Sequence, residues 1–450
     1  MTIRKFKCDS VLLPDGWACD VVIHVDAAGL IAEIMPGSDG EHVSGIVIAG
    51  MANLHSHAHQ RLMQGLAERA GPGADSFWTW REVMYSFALK LGPEDLQAVA
   101  AQAYAEMLCA GFTSVGEFQY LHHQPDGTPY ANRAELSLRC LAAAEDVGIA
   151  ATMLPVLYSH GGFGGQAPNA GQRRFINDTA GFIKIYEGVQ KAVHGHHRLG
   201  VAPHSLRAVT KLGLDAVLAA TPEQQPIHIH IAEQTKEVDD CLAWCGQRPV
   251  DYLLQNFAVQ DNWCAIHATH LSDQEVTALA ASRAVVGLCP TTEANLGDGI
   301  FPARTFLDQG GAMGIGSDSH ITISPSEDLR MLEYSQRLLH RTRNALANGP
   351  GQSTGRSLFE RALKGGAQAL GQNMGAIAVG KRADFVVLNP DHHALIGRSQ
   401  DSAIDAWIFS GGNSCVRDVY VGGKQVVKDG AHVAAAAITK NFKQTIARLI

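Results

Sequence analysis

The sequence predicts an α/β fold: a (β/α)8 TIM-type barrel with a small β-sandwich domain formed from both termini. Three observations carry that expectation. Between residues 49 and 370 eight short apolar runs alternate with helical stretches, residues 1–48 and the tail 371–450 read as short strands punctuated by turns, and nearly every run of the middle region ends on a polar residue suited to chemistry. Parallel barrel strands are buried on both faces and so read as near-continuous apolar runs, and barrel chemistry gathers at their carboxyl ends.

Taken in order, "DSVLLPDGWACDVVIHVDAAGLIAEIMPG" has a β pattern with no helix-length period. The eight runs follow as "IVIAGMANLH", "TSVGEF", "ATMLPVLY", "LGVAPHS", "PIHIHIAE", "CAIHAT", "AVVGLCP" and "AMGIGSDS". The tail returns to β with "ADFVVLN" and "VRDVYVGGKQVVKDG". The economical division is therefore a small domain of residues 1–48 plus 371–450, its two halves pairing, around a barrel of residues 49–370. No fixed-period repeat or low-complexity linker interrupts it.

Composition narrows the partners. The chain of 450 residues is 46% hydrophobic and 18% charged with a formal net charge of −8, which offers no basic patch for nucleic acid or an anionic membrane. A small-molecule substrate is expected, and an anionic one needs a local cationic pocket. The nine cysteines show no pairing pattern; Cys241 and Cys245 lack a second pair for a zinc knuckle, so all are expected to be core thiols in a reducing cytoplasm. "MTIRKFKCDS" has no apolar leader core, and no window reaches the roughly 18 apolar residues of a membrane helix, so a cytoplasmic location is expected.

The strand ends concentrate imidazoles and carboxylates. His55 and His57 close the first run, and a period of two aims both at one face; His230 closes the fifth with Glu233 three residues on; His267 closes the sixth and Asp318 the eighth. A single His-x-His is weak evidence, because strand-end histidines also serve as bonded core residues. Recurrence at successive strand ends is what points to a divalent metal, with zinc the expected ion. His228 lies one layer deeper than His230 and reads as a satisfied core histidine, and His59 as a wall residue or polar filler; His122, His123, His194, His196, His197 and His340 fall in polar contexts that favour solvated side chains.

The order "NLHSHAH", "HIHIAE", "IHATH", "GIGSDS" and "GAIAVGKRADFVVLNP" resembles the amidohydrolase superfamily over almost the whole chain, in its one-metal branch. The fourth run ends in "VAPHS" without the lysine that bridges two metals in other branches, which agrees with a single ion. "HSHAHQRLMQGLAER", "FWTWREVMY", "GEFQYLHH" and "APHSLRAV" are further similar to the formiminoglutamate deiminases of histidine degradation, with His59 departing from the aromatic expected there. The resemblance implies that His55, His57, His230 and Asp318 hold the metal, that Glu233 shuttles a proton from water to the departing nitrogen, that His267 steadies the nucleophile, and that Asp318 also accepts a proton. For Glu233 the bland alternative is a helix N-terminal acid.

A substrate with two carboxylates requires cationic forks. Arg207, three residues past His204 at the fourth strand end, is placed for one carboxylate, its bland alternative a surface helix arginine, and His204 for the same carboxylate or the amidine end; the resemblance implies Tyr120 after the second strand and Gln60 after the first as contacts, with Arg81 in "FWTWREVMY" a further member. Arg81 has three open placements: its own site, a neighbour's, or a pair with Glu82 or Glu117. Trp78 and Trp80 are expected to pack, and the glycine-rich "SHGGFGGQAPNAGQRR" is a candidate lid. The family leans to homodimers. Two other functions stay in view: a related deaminase of a nucleobase or triazine ring, which should want an aromatic-lined pocket, and a barrel without catalysis, which should lack the ligands.

Overall fold

Both chain ends meet in one sheet. The computed structural model describes residues 4–449 apart from residues 72 and 74. It begins with strands β1 (Arg4–Leu13), β2 (Gly16–Val25), β3 (Ile31–Pro36) and β4 (Glu41–Ala49). The barrel strands follow: β5 (Met51–Ser56), β6 (Phe112–Gln119), β7 (Ala150–Leu157), β8 (Arg198–Leu199), β9 (Ala202–Pro203), β10 (Ile227–Ile231), β11 (Trp263–His267), β12 (Val285–Leu288) and β13 (Ala312–Ile315). The tail supplies β14 (Phe385–Leu388), β15 (Val416–Val421), β16 (Lys424–Lys428) and β17 (Ala431–His432). The terminal sheet runs β17-β16-β15-β14-β4-β1-β2-β3, and the join is the antiparallel pair β14–β4, with Val386 opposite Ile48. Phe6 and Phe385 meet edge-on at 5.3 Å, and Tyr420 stacks on Phe385 at 4.6 Å, so aromatics from both chain ends share one core.

The second sheet is parallel and curled, in the order β10-β11-β12-β13-β5-β6-β7-β8, with β9 on β7. Bridges from Val201 to Ile227 and from Ser205 to His230 connect its two ends. β6, β7, β10, β11 and β12 are buried along their whole length, as continuous apolar runs require.

Three expectations are corrected. The run "IVIAGMANLH" is two strands divided at Gly50: β4 belongs to the terminal sheet and β5 to the barrel. A Cβ at Gly50 would stand 2.3 Å from Thr113 Cγ2, so the chain passes between sheets only with glycine there. The fourth run is broken into β8 and β9, because Gly200 lies against the Pro226 carbonyl, 2.5 Å from where its Cβ would be, and Pro203 has no N–H to offer a ladder. The tail does not end in β. Ala435–Leu449 is a helix whose Ile438, Phe442, Ile446 and Leu449 recur at helical spacing and pack on the core. That period was present in the sequence but lay beyond the last β run.

Candidate active site

The strand ends converge. His55 Nε2 lies 3.0 Å from His230 Nε2, and Asp318 Oδ1 lies 3.6 Å from His55 Nε2 and 3.3 Å from His57 Nε2. His267 joins the cluster with Nε2 3.8 Å from Asp318 Oδ2. The strand period is not what brings His55 and His57 together. The β5–β6 register shifts between Asn53 and Ser56, and His57 lies past the strand as the N-cap of a 3-10 turn over Ala58–Met63. Their rings nonetheless meet at 4.6 Å.

Backbone strain marks the same strand ends. Ala232, His267, Asp318 and His320 all adopt positive φ, from 45° to 68°. Non-glycine residues hold such conformations only where the surroundings over-determine them, a common condition at functional sites.

The polar shell sets which ring nitrogens face inward. His57 Nδ1 bonds the Phe118 carbonyl and His230 Nδ1 the His204 carbonyl, both at 3.0 Å, so each donates from Nδ1 and presents a lone pair at Nε2. Burial pushes His57 down to about 3, against the raising effect of the Phe118 carbonyl, and holds His55 and His230 well below the usual histidine range. Neutral imidazoles with lone pairs aimed at one carboxylate fit a divalent cation. Burial also lifts Asp318 to about 7. Burial would lower His267, but Glu233, Glu293 and Asp318 around it raise it to about 10.

Beneath the cluster runs a buried hydrogen-bond chain. Glu117 accepts from Ser56 Oγ at 2.6 Å and from the Ala58 N–H at 2.9 Å, thus holding the residues on both sides of His57, one by its hydroxyl and the other by its backbone. Ser56 Oγ meets His320 Nε2 at 3.1 Å, His320 Nδ1 meets Ser317 Oγ at 2.9 Å, and Asn53 Nδ2 donates to Ser317 Oγ at 2.6 Å. These contacts tie the strand end carrying the two histidines to the one carrying Asp318.

The cluster opens into a cavity. Gln60, Arg81, Tyr120, His204, Arg207, Glu233 and His267 all line it. Gln60 Nε2 donates to Tyr120 Oη at 2.8 Å. Arg207 Nη2 lies 4.0 Å from Glu233 Oε2 and 3.8 Å from Glu237 Oε2. Arg81 enters the cavity of its own chain from the helix Phe77–Ala88, its guanidinium 4.6 Å over the Trp78 ring and 5.6 Å over Tyr85. Trp78 is thus a platform for Arg81 rather than packing alone, and Trp80 lines the cavity. Arg81 pairs with neither Glu82 nor Glu117; Glu117 is committed to Ser56 and Ala58.

Other histidines divide. His228 bonds the Ala369 carbonyl at 2.7 Å, a core role as expected. His59 is buried, edge-on to Tyr120 at 4.8 Å. His122, His123 and His197 are buried rather than solvated: His122 and His123 bond the Val156 and Ile176 carbonyls, and His197 Nδ1 accepts from the Ala151 N–H. Loop context concealed this, because segments distant in sequence cover them. Cys19 is exposed, unlike the core thiols expected. The glycine-rich segment is anchored at its end, where the buried Arg174 bonds the His123 carbonyl at 2.7 Å.

Sequence reasoning passed over Tyr158, Phe175 and Tyr85 in the cavity wall and the buried carboxylates Glu237 and Glu293, the latter 3.2 Å from His267 Nδ1. Two signals were available: Tyr158 closes the third run, and Glu237 follows Glu233 by one helical turn.

A barrel bearing this donor cluster at its strand ends has clear relatives. The chain belongs to the amidohydrolase family, whose model matches residues 46–426. It is 52% identical, over 98% of both chains, to the formimidoylglutamate deiminase of Pseudomonas aeruginosa. The crystal structure of an amidohydrolase from Brucella melitensis superposes with a TM-score of 0.94 at 51% identity, covering 99% of each chain. The 5-methylthioadenosine/S-adenosylhomocysteine deaminase of Shouchella clausii is 26% identical over 85% of this chain and 81% of its own.

Proposed function

We propose that this protein is a formimidoylglutamate deiminase, hydrolysing N-formimino-L-glutamate to N-formyl-L-glutamate and ammonia. The carrying observation is a single cavity lined both by members of the metal-donor cluster and by Arg81 and Arg207, in a chain so similar to a deiminase of that name. Two forks answer two carboxylates. In an acidic chain such cations are placed, not incidental.

His55, His57, His230 and Asp318 would hold one divalent ion, and the nitrogen-rich donor set favours zinc. Such an ion supplies Lewis acidity and brings the pKa of water toward neutrality. Water adds to the formimino carbon, and Glu233 carries its proton to the nitrogen that leaves as ammonia. His267, 4.0 Å from Glu233 Oε1, steadies the developing charge, and as the tetrahedral centre collapses Asp318 takes the proton of its hydroxyl and returns it to the leaving amino group, so that both protons of water end on ammonia. Gln60 and Tyr120 contact the formimino end, His204 and Arg207 one carboxylate, and Arg81 the other. The two sheets support a division into residues 1–48 plus 371–450, as a small sandwich-type domain, and a barrel of residues 49–370. No described helix is long and apolar enough to cross a membrane. A cytoplasmic homodimer is the working assembly, checked by sedimentation.

A ring deaminase has one observation in its favour, since Trp80, Tyr85, Tyr120, Tyr158 and Phe175 line the cavity with aromatics. Neutral purines have no use for two guanidiniums. Purified protein is expected to release ammonia from N-formimino-L-glutamate and not from a neutral purine, and the reverse result sinks the deiminase reading. Glu233→Gln should keep its zinc while kcat falls by roughly 10²–10⁴; retained turnover would remove Glu233 from the proton path.

A further inference from the structure

Glu237 has no part in the reaction as described, yet its side chain is fully buried beside it. It occupies the first turn of the helix Thr235–Cys245, four residues beyond Glu233. Its Oε1 accepts the Ala232 N–H at 3.1 Å and its Oε2 the Glu233 N–H at 3.3 Å. Ala232 has φ +50°, so the turn that aims Glu233 into the cavity is a strained one held by this carboxylate.

The same Oε2 lies 3.8 Å from Arg207 Nη2. That separation is beyond normal hydrogen-bond reach. Arg207 is largely buried, and its Nε has no hydrogen-bond partner among the described residues. A guanidinium so withdrawn from water needs counter-charge, and Glu237 supplies it without consuming donor positions. Its two backbone hydrogen bonds stop it from closing into a tight fork on the arginine. Glu233 Oε2, at 4.0 Å, is the other carboxylate within reach of Arg207, so without Glu237 the guanidinium is drawn onto the proton shuttle.

We propose, on the deiminase reading above, that Glu237 is a positioning residue: it keeps Arg207 extended toward the substrate carboxylate and off Glu233, coupling carboxylate recognition to a free proton shuttle.

The test is a double-mutant cycle on the zinc-loaded full chain with N-formimino-L-glutamate. Glu237→Gln should lower kcat by roughly thirtyfold and raise KM as well, because the arginine drawn onto Glu233 leaves the substrate carboxylate, while Arg207→Ala should act mainly on KM. In the double variant kcat should recover by about threefold or more over Glu237→Gln alone, since the arginine that trapped Glu233 is gone. A merely structural role for Glu237 predicts no such recovery. Losses that multiply, or a Glu237→Gln kcat within about threefold of the parent, overturn the assignment. Should Glu237→Gln not fold, Glu237→Asp retains the charge but withdraws it from the Ala232 and Glu233 amides; its kcat should fall and be relieved by Arg207→Ala, and absence of relief overturns the assignment equally. A parent protein inert toward N-formimino-L-glutamate overturns the deiminase reading and this proposal together, whereas an active parent with unaffected variants overturns this one alone.

Discussion

Individual residues divide by how much of their surroundings is local. His55, His57, His230, Glu233, His267 and Asp318 were legible because each sits at or within a few residues of a recognisable strand end. Arg81 was named as a contact with its placement open, since its helix crosses from an excursion whose path no local pattern reveals. In the folded chain it rests on Trp78 and Tyr85 and lines its own cavity. Arg81→Ala removes a charge-assisted fork of about 1.5–3 kcal/mol, so KM for N-formimino-L-glutamate should rise roughly 10–100-fold while zinc content holds. Steady-state kinetics check this; an unchanged KM would mean that Arg81 does not meet the substrate.

Among the elements, strand ends carry the proposed ligands but their neighbours aim them. Glu117 on β6 holds the Ser56 hydroxyl and the Ala58 backbone, and the Ser56–His320–Ser317–Asn53 chain locks β5 to β13. Outer partners of metal ligands commonly contribute 10–100-fold to affinity, so Glu117→Gln should weaken zinc binding by about that factor in competition with a chromogenic chelator. Equal affinity would reduce Glu117 to a packing residue. The helix Thr354–Ala369 shows a different constraint: a Cβ on Gly365 would stand 1.8 Å from the Met313 carbonyl, so the helix reaches β13 only because glycine is there. Apolar periodicity disclosed the strands, but the Gly50 division and the bulge before Ser56 were hidden, because a bulge changes register without changing composition.

At the scale of the whole molecule, buried neutral histidines set the acid response. Burial lowers His122 to about 3 and His228 and His197 to about 4, each below the unfolded value of about 6.5. The unfolded chain therefore binds protons that the folded chain refuses, so this stability is complete above about pH 6.5 and drains as pH falls toward 4. Glu117, which burial raises to about 7, has the opposite sign and offsets one such group. The melting temperature should decline from pH 7 to pH 4.5, and His228→Gln, which can still donate to the Ala369 carbonyl, should flatten the slope by up to about 1.4 kcal/mol per pH unit. A slope unaltered by that variant would assign the acid sensitivity elsewhere.

By itself the sequence determined the alternation of strands and helices, the β strands that flank the barrel on either side and the imidazoles and carboxylates that gather near its strand ends, because each is written locally in apolar runs and in residue type at or just past a strand end. Only the tertiary structure decided which loop histidines are buried, how "IVIAGMANLH" divides between two sheets, where Arg81 points, and that Glu237 stands between Arg207 and Glu233. Those facts depend on contacts between segments far apart in the chain, whose distances no local pattern encodes.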